Sequence, residues 1–331
     1  MRSLLRVELT RLRWRRAILL LLVAVVAVPV VFGVAVALET VPPTASDRAT
    51  AARQAEQEAE QPYVEDELAN CQDSPQDYGV GDASDLEAAC EEMIVPRPEW
   101  YLATQELDLV QQRDDTGLAV AAFISVLLLL AGATFAGHDW SSGSMSNQLL
   151  FETRRLRVWT AKALAVVLVS GLLSLVVLSG YWVALWSLAR SRDLPSSNAI
   201  LVDCLQDGAR GALVAALAAF GGYALTMLFR STVATVGVLL AVAVAGGALI
   251  AVLGIDAKYQ PQTNLSAVVL DDATYNVEVP DECFMQAEPP EGLDCDEEKV
   301  LPARDGSIYL GSLVVLAGAA SVLSFRRRDV P

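Results

Sequence analysis

The sequence predicts an all-α polytopic membrane protein with six transmembrane helices, both termini cytoplasmic and two large extracytoplasmic insertions. Three observations carry this reading. Six apolar runs are each long enough to cross a bilayer. The basic residues crowd flanks that fall on one side of six alternating spans, and the acidic residues gather in two of the connections.

A hydrocarbon core about 30 Å thick takes roughly 20 apolar helical residues. Residues 17–38, 117–137, 163–188, 211–229, 232–255 and 308–325 meet that demand without one Asp, Glu, Lys or Arg. In lipid every backbone group bonds within its own segment, so such runs are helices. The first follows a basic start and could be mistaken for a signal peptide. Its apolar stretch exceeds the roughly 7–15 residues of a signal core, so it reads as an uncleaved anchor.

Orientation follows from charge. Of 24 basic residues, 14 lie in the short flanks at 2–16, 154–162, 230 and 326–328, all on one side. Positive charge beside a span stays cytoplasmic. Of 40 acidic residues, 33 lie in the insertions 39–116 and 256–307, both on the far side. The net charge of −16 therefore describes exported segments, and no nucleic-acid partner is implied.

Residues 1–16 read as a helix in the inner interface, with Met1, Leu5, Leu9 and Leu12 on one stripe and Arg2, Arg6 and Arg13 beside it. A purely topogenic basic tail is the competing reading. The first insertion is rich in Glu, Ala and Gln, with helix expected around 46–61. The second has more Pro and Asp. Two cysteines in each predict the disulfides Cys71–Cys90 and Cys283–Cys295 in an oxidising compartment. Cys204, in the connection 189–210, is left over as a free thiol or a partner across a dimer. Gly221, Gly222, Ala243, Gly247 and Ala251 are small residues suited to close helix packing.

Catalytic patterns are absent. One histidine, His138, excludes histidine clusters, and there is no phosphate-cradling G-x-x-x-x-G-K-[ST] loop, no GxSxG and no HExxH. The runs 294–298 and Asp271-Asp272 offer carboxylates to Ca²⁺, yet a solvated face explains them equally; no metal site and no bound cofactor is assigned. No charge lies inside the six runs, which argues against ion-coupled transport.

The informative connection is 138–162, HDWSSGSMSNQLLFETRRLRVWTAK, which is longer than a topogenic loop requires. Asp139 closes the second span, Gly143-Ser144 starts a short helix over 144–151, and Met145, Leu149 and Leu150 are expected to be presented beside Phe151. Arg154, Arg155 and Arg157 follow, with Lys162 at the entrance to the third span. An apolar knob bracketed by charges suits docking of a cytoplasmic partner. A helix lying on lipid, with the arginines as anchors, is the alternative. Asp139 is placed to pair with Arg155 or Lys162.

These residues resemble the permease subunits of ABC-2 type transporters. That family carries an acid, Gly-Thr four positions on, a Leu-Leu pair, a Pro-Arg-like pair and a Lys opening the third helix. Here the positions read Asp139, Gly143-Ser144, Leu149-Leu150, Thr153-Arg154-Arg155 and Lys162, and Trp140 matches a Trp frequent in the actinobacterial branch. Asp139, Ser144 and Thr153 depart from the family's Glu, Thr and Pro. The resemblance implies a bacterial plasma-membrane permease, homodimeric or heterodimeric, in contact with membrane lipid. A separate ATPase subunit would bind ATP and Mg and dock on 144–151 and the 1–16 helix. The competing function is a membrane-anchored receptor or assembly scaffold acting through the two insertions.

Overall fold

The computed structural model describes residues 2–81, 83, 85–102, 106–277, 279, 283 and 295–327, excepting the Ala251 side chain. The amino-terminal segment forms α1 (Arg2–Trp14) and α2 (Arg16–Glu39); the first insertion holds α3 (Ala45–Ala59), α4 (Pro62–Asp73) and α5 (Leu86–Ile94). A short turn, α6 (Leu109–Gln112), passes through one π-helical turn (Arg113–Gly117) into α7 (Leu118–Ser141). Then come α8 (Ser144–Phe151), α9 (Arg155–Ser191), α10 (Asn198–Phe229) and α11 (Thr232–Leu253). The second insertion holds α12 (Pro261–Leu270), β1 (Asp272–Asn276) and β2 (Glu298–Pro302), and α13 (Ala303–Arg327) follows. Six helices are long and apolar enough to cross a membrane: Arg16–Glu39, Leu109–Ser141, Arg155–Ser191, Asn198–Phe229, Thr232–Ile250 and Ala303–Arg327. Several outrun their apolar cores. The 37 residues of α9 rise about 55 Å, well beyond the hydrocarbon thickness.

The chain divides into two compact units, Met1–Val34 with Asp108–Pro331, and Ala35–Leu107. In the first, α10 packs against both α7 and α9. Glycine makes the α7–α10 contact possible. A Cβ on Gly132 would stand 2.0 Å from the Ala219 carbonyl oxygen, and one on Gly222 would stand 2.1 Å from that of Leu129. Without a hydrophobic drive between helices in lipid, such close backbone approach supplies the packing. Aromatic residues fill the α9–α10 seam: Tyr223, fully buried, donates to the Trp159 carbonyl at 2.9 Å, and Trp159 Nε1 donates to Ser321 Oγ of α13 at 3.1 Å. Most of α11 is exposed, and nothing lies within 4 Å of a Cβ on Gly246 or Gly247. Among the described residues the small-residue stripe on α11 therefore has nothing against it at Gly247, whereas Gly222 packs on α7.

The second insertion belongs to this unit. Strands β1 and β2 pair antiparallel, Ala273 opposite Leu301, over Ala267 of α12. Asp271, at φ +82, turns α12 into β1. The Cys283–Cys295 disulfide closes the connection between the strands. Among the described residues no group of three His, Cys, Asp or Glu could hold a metal ion; Asp294 lies outside them.

In the second unit, Thr44 and Asp47 cap α3 reciprocally, Asp47 N–H to Thr44 Oγ1 at 3.2 Å and Thr44 N–H to Asp47 Oδ2 at 2.9 Å. Pro62 opens α4, where its missing N–H has no helical acceptor to lose. The Cys71–Cys90 disulfide ties α4 to α5 across 19 residues, a loop whose closure is worth about 3 kcal/mol. This unit carries 17 acidic and 3 basic side chains, net −14 of the chain's −16.

Candidate coupling site

The site grows from the turn after α7. Gly143 adopts φ +68, a left-handed conformation that spares it a Cβ penalty, and α8 begins at the next residue. Its eight residues extend about 12 Å before Glu152 ends it. Met145 is fully buried, contrary to its expected presentation, because it is the residue that seats α8 on the bundle. Leu149 is half-buried. The free tip is instead Leu150, 78 % exposed, and Phe151, 93 % exposed.

Beneath α8 lies a buried ionic cluster drawn from three helices and from Arg15, which joins α1 to α2. Lys162 of α9, Glu8 of α1 and Asp139 of α7 are all fully buried. The Lys162 ammonium donates to Glu8 Oε2 at 2.9 Å and to Asp139 Oδ2 at 2.5 Å. Asp139 accepts a second charge-assisted bond from the Arg15 guanidinium, which also donates to the Phe135 carbonyl at 2.7 Å. The Phe135 ring lies under both cations, 5.0 Å from Arg15 and 5.3 Å from Lys162. From α8, Gln148 Nε2 donates to Glu8 Oε1 at 2.6 Å, and Gln148 Oε1 accepts from Arg11 at 3.3 Å. Two carboxylates thus meet two buried or nearly buried cations, with Arg11 at the rim. Desolvated charges persist only when matched and hydrogen-bonded in this way.

Asp139 pairs with Lys162 and Arg15. Arg155 turns elsewhere: its guanidinium donates to the Phe325 carbonyl at the end of α13, 3.2 Å away. Trp140 stands edge-on to Phe325, with the Arg230 guanidinium 4.8 Å above its ring. Arg154 is exposed at the start of α9, where its N–H bonds the Glu152 carboxylate at 3.2 Å.

No family model, no characterised protein and no solved structure matches this chain.

A groove of about 650 Å³ runs between α1 and α8, walled by Leu4, Val7, Arg11, Gln148, Phe151 and Arg157. It holds no nucleophile beside a base and no convergent carboxylates. Its lining pairs apolar Leu4, Val7 and Phe151 with the basic Arg11 and Arg157 and the acidic Glu152. Ser144, half-buried, also lines it.

Glu8, Arg15 and Gln148 join the site only through the fold. One signal for Glu8 was present: it is the lone acid among the six arginines of 1–16, and it falls between Leu5, Leu9 and Leu12 on the packing face. That face is no lipid stripe alone, since α1 packs against α9 with Glu8 and Leu12 buried.

Proposed function

We propose that this chain is the membrane-spanning permease subunit of an ABC-2 type, export-type transporter of the bacterial plasma membrane. Both termini and α8 face the cytoplasm, and the two disulfide-bearing insertions face outward. The observation that supports this most is the construction of α8. It presents Leu150 and Phe151 to a partner while Met145 is buried and Gln148 ties it to a buried cluster shared by α1, α7 and α9. A push on the tip then reaches two spanning helices through short, matched bonds rather than through a flexible loop.

The partner is a separate ATPase subunit that binds ATP and Mg, with an apolar pocket for Phe151 and an acidic rim for Arg11, Arg154 and Arg157. Two permease subunits, identical or related, form the path, and closure of two ATPases switches it. The chain itself is no enzyme. A compact unit of net −14 with its own disulfide favours, as second reading, a receptor or scaffold acting through that unit.

Purification in mild detergent from native membranes separates the two. The wild type should bring down a P-loop ATPase with ATP hydrolysis activity, and a Leu150→Asp, Phe151→Asp chain at equal expression should not. Recovery of the wild-type chain without any ATPase, where a control transporter complex survives, would turn the assignment to the scaffold.

A further inference from the structure

A second ionic chain lies at the other end of α7, one the proposed coupling leaves unused. Arg113 and Asp139 are 26 residues apart along a nearly continuous helix, about 39 Å. Arg113 bonds Asp207 of α10 through Nε at 2.5 Å and through its terminal nitrogen at 3.3 Å. Asp207 also faces Arg210 at 3.8 Å, and Arg210 reaches Asp271, the last residue before β1, at 3.1 Å. Charges alternate along the chain Arg113–Asp207–Arg210–Asp271, which is most buried at Asp207 and most exposed at Asp271. The Asp207 side chain is 3 % exposed and Asp271 is 68 % exposed.

We propose that this chain is a latch that holds the α7–α10 end of the bundle closed and releases from its exposed link inward. Three observations point the same way. The latch joins three parts of the fold: the start of the α7 helix, α10 and the second insertion. Arg113 opens the π-helical turn Arg113–Gly117, a local register fault that lets a helix shift its side chains without unfolding and that recurs at functional sites. The turn is seated tightly, since a Cβ on Gly117 would stand 2.4 Å from the Trp182 ring, while Thr116 and the Tyr181 hydroxyl lie 3.0 Å apart. The surface link Arg210–Asp271 is exposed and weak, whereas the Arg113–Asp207 link is shielded from water and strong. Opening therefore starts where the second insertion meets solvent, which couples any partner of that insertion to the bundle. The latch does not depend on the ATPase reading.

The chain carries its own reporter. Cys204, one turn before Asp207 on α10, is buried at 1 % exposure and is the fifth cysteine beside two disulfides. A small thiosulfonate reagent applied to the full chain in membranes labels Cys204 only when this end opens, and Cys204→Ser sets the background. Asp271→Asn, at an exposed position that does not threaten folding, should raise the labelling rate about threefold, as loss of a surface ion pair predicts. Arg210→Gln, which removes two links, should raise it about tenfold, and the double variant should match Arg210→Gln alone because both act on one link. An Asp271→Asn chain labelled no faster than wild type would overturn the latch. So would a double variant whose acceleration is the product of the two singles.

Discussion

Lys162 of α9 bonds Glu8 of α1 at 2.9 Å, both fully buried and 154 positions apart in the chain. Neither group is stable there alone. Lys162→Met leaves Glu8 and Asp139 facing one another with cations only on their outer sides. This variant should lose about 3–5 kcal/mol, the range for a buried pair stripped of one partner. The double variant Glu8→Gln, Lys162→Met should be less damaged than the sum of the singles. Apparent thermal midpoints in detergent check this, and strictly additive losses would show that the two residues are not coupled.

The glycines of the α7–α10 crossing offer an internal comparison. Gly132→Val and Gly222→Val each drive a side chain into a facing carbonyl and should cost about 3 kcal/mol or more, with reduced folded yield. Gly221→Val, with nothing within 4 Å, should be close to neutral. Fluorescence-detected size exclusion of the three variants distinguishes them. Equal behaviour would mean the crossing is looser than 2 Å backbone clashes require.

The Thr44–Asp47 capping box predicts a pH dependence. Hydrogen bonds from the Thr44 side chain and then its backbone hold the Asp47 carboxyl below its ordinary value. A depressed folded value means the carboxylate stabilises the helix start above its unfolded pKa of about 3.9, and that stability is lost as pH falls through the folded value. Hydrogen exchange over residues 45–50, corrected for intrinsic rates, should therefore show protection falling below about pH 4. Thr44→Ala should flatten that fall; an unchanged profile would remove the cap from the account.

Much of this architecture is legible without coordinates. A bilayer-length apolar run has few alternatives to a helix, so the six long helices follow from composition. Gly143-Ser144 marks the start of α8 because a residue able to adopt positive φ precedes an apolar stretch. The charged clusters are harder to see. Glu8 looks like an ordinary partner for Arg11 three residues on, an i,i+3 pair that is indeed formed at 3.7 Å, and nothing local says that it also meets Lys162. Asp207 sits ahead of the apolar run 211–229, so it reads as a residue of a connection, whereas α10 starts at Asn198 and carries it into the bundle. Met145 fails as a presented residue for a related reason: an eight-residue helix has two faces, and only packing decides which is free.

The central claim, that the tip of α8 docks an ATPase, is tested most directly by a photoreactive benzophenone side chain placed at Phe151 and irradiated in native membranes. The account predicts a covalent adduct with a P-loop ATPase, found by mass spectrometry, and its absence when the same probe replaces Met145, which is buried. Adducts from position 151 to lipid alone, or to no ATPase while the transporter complex is intact, would contradict it.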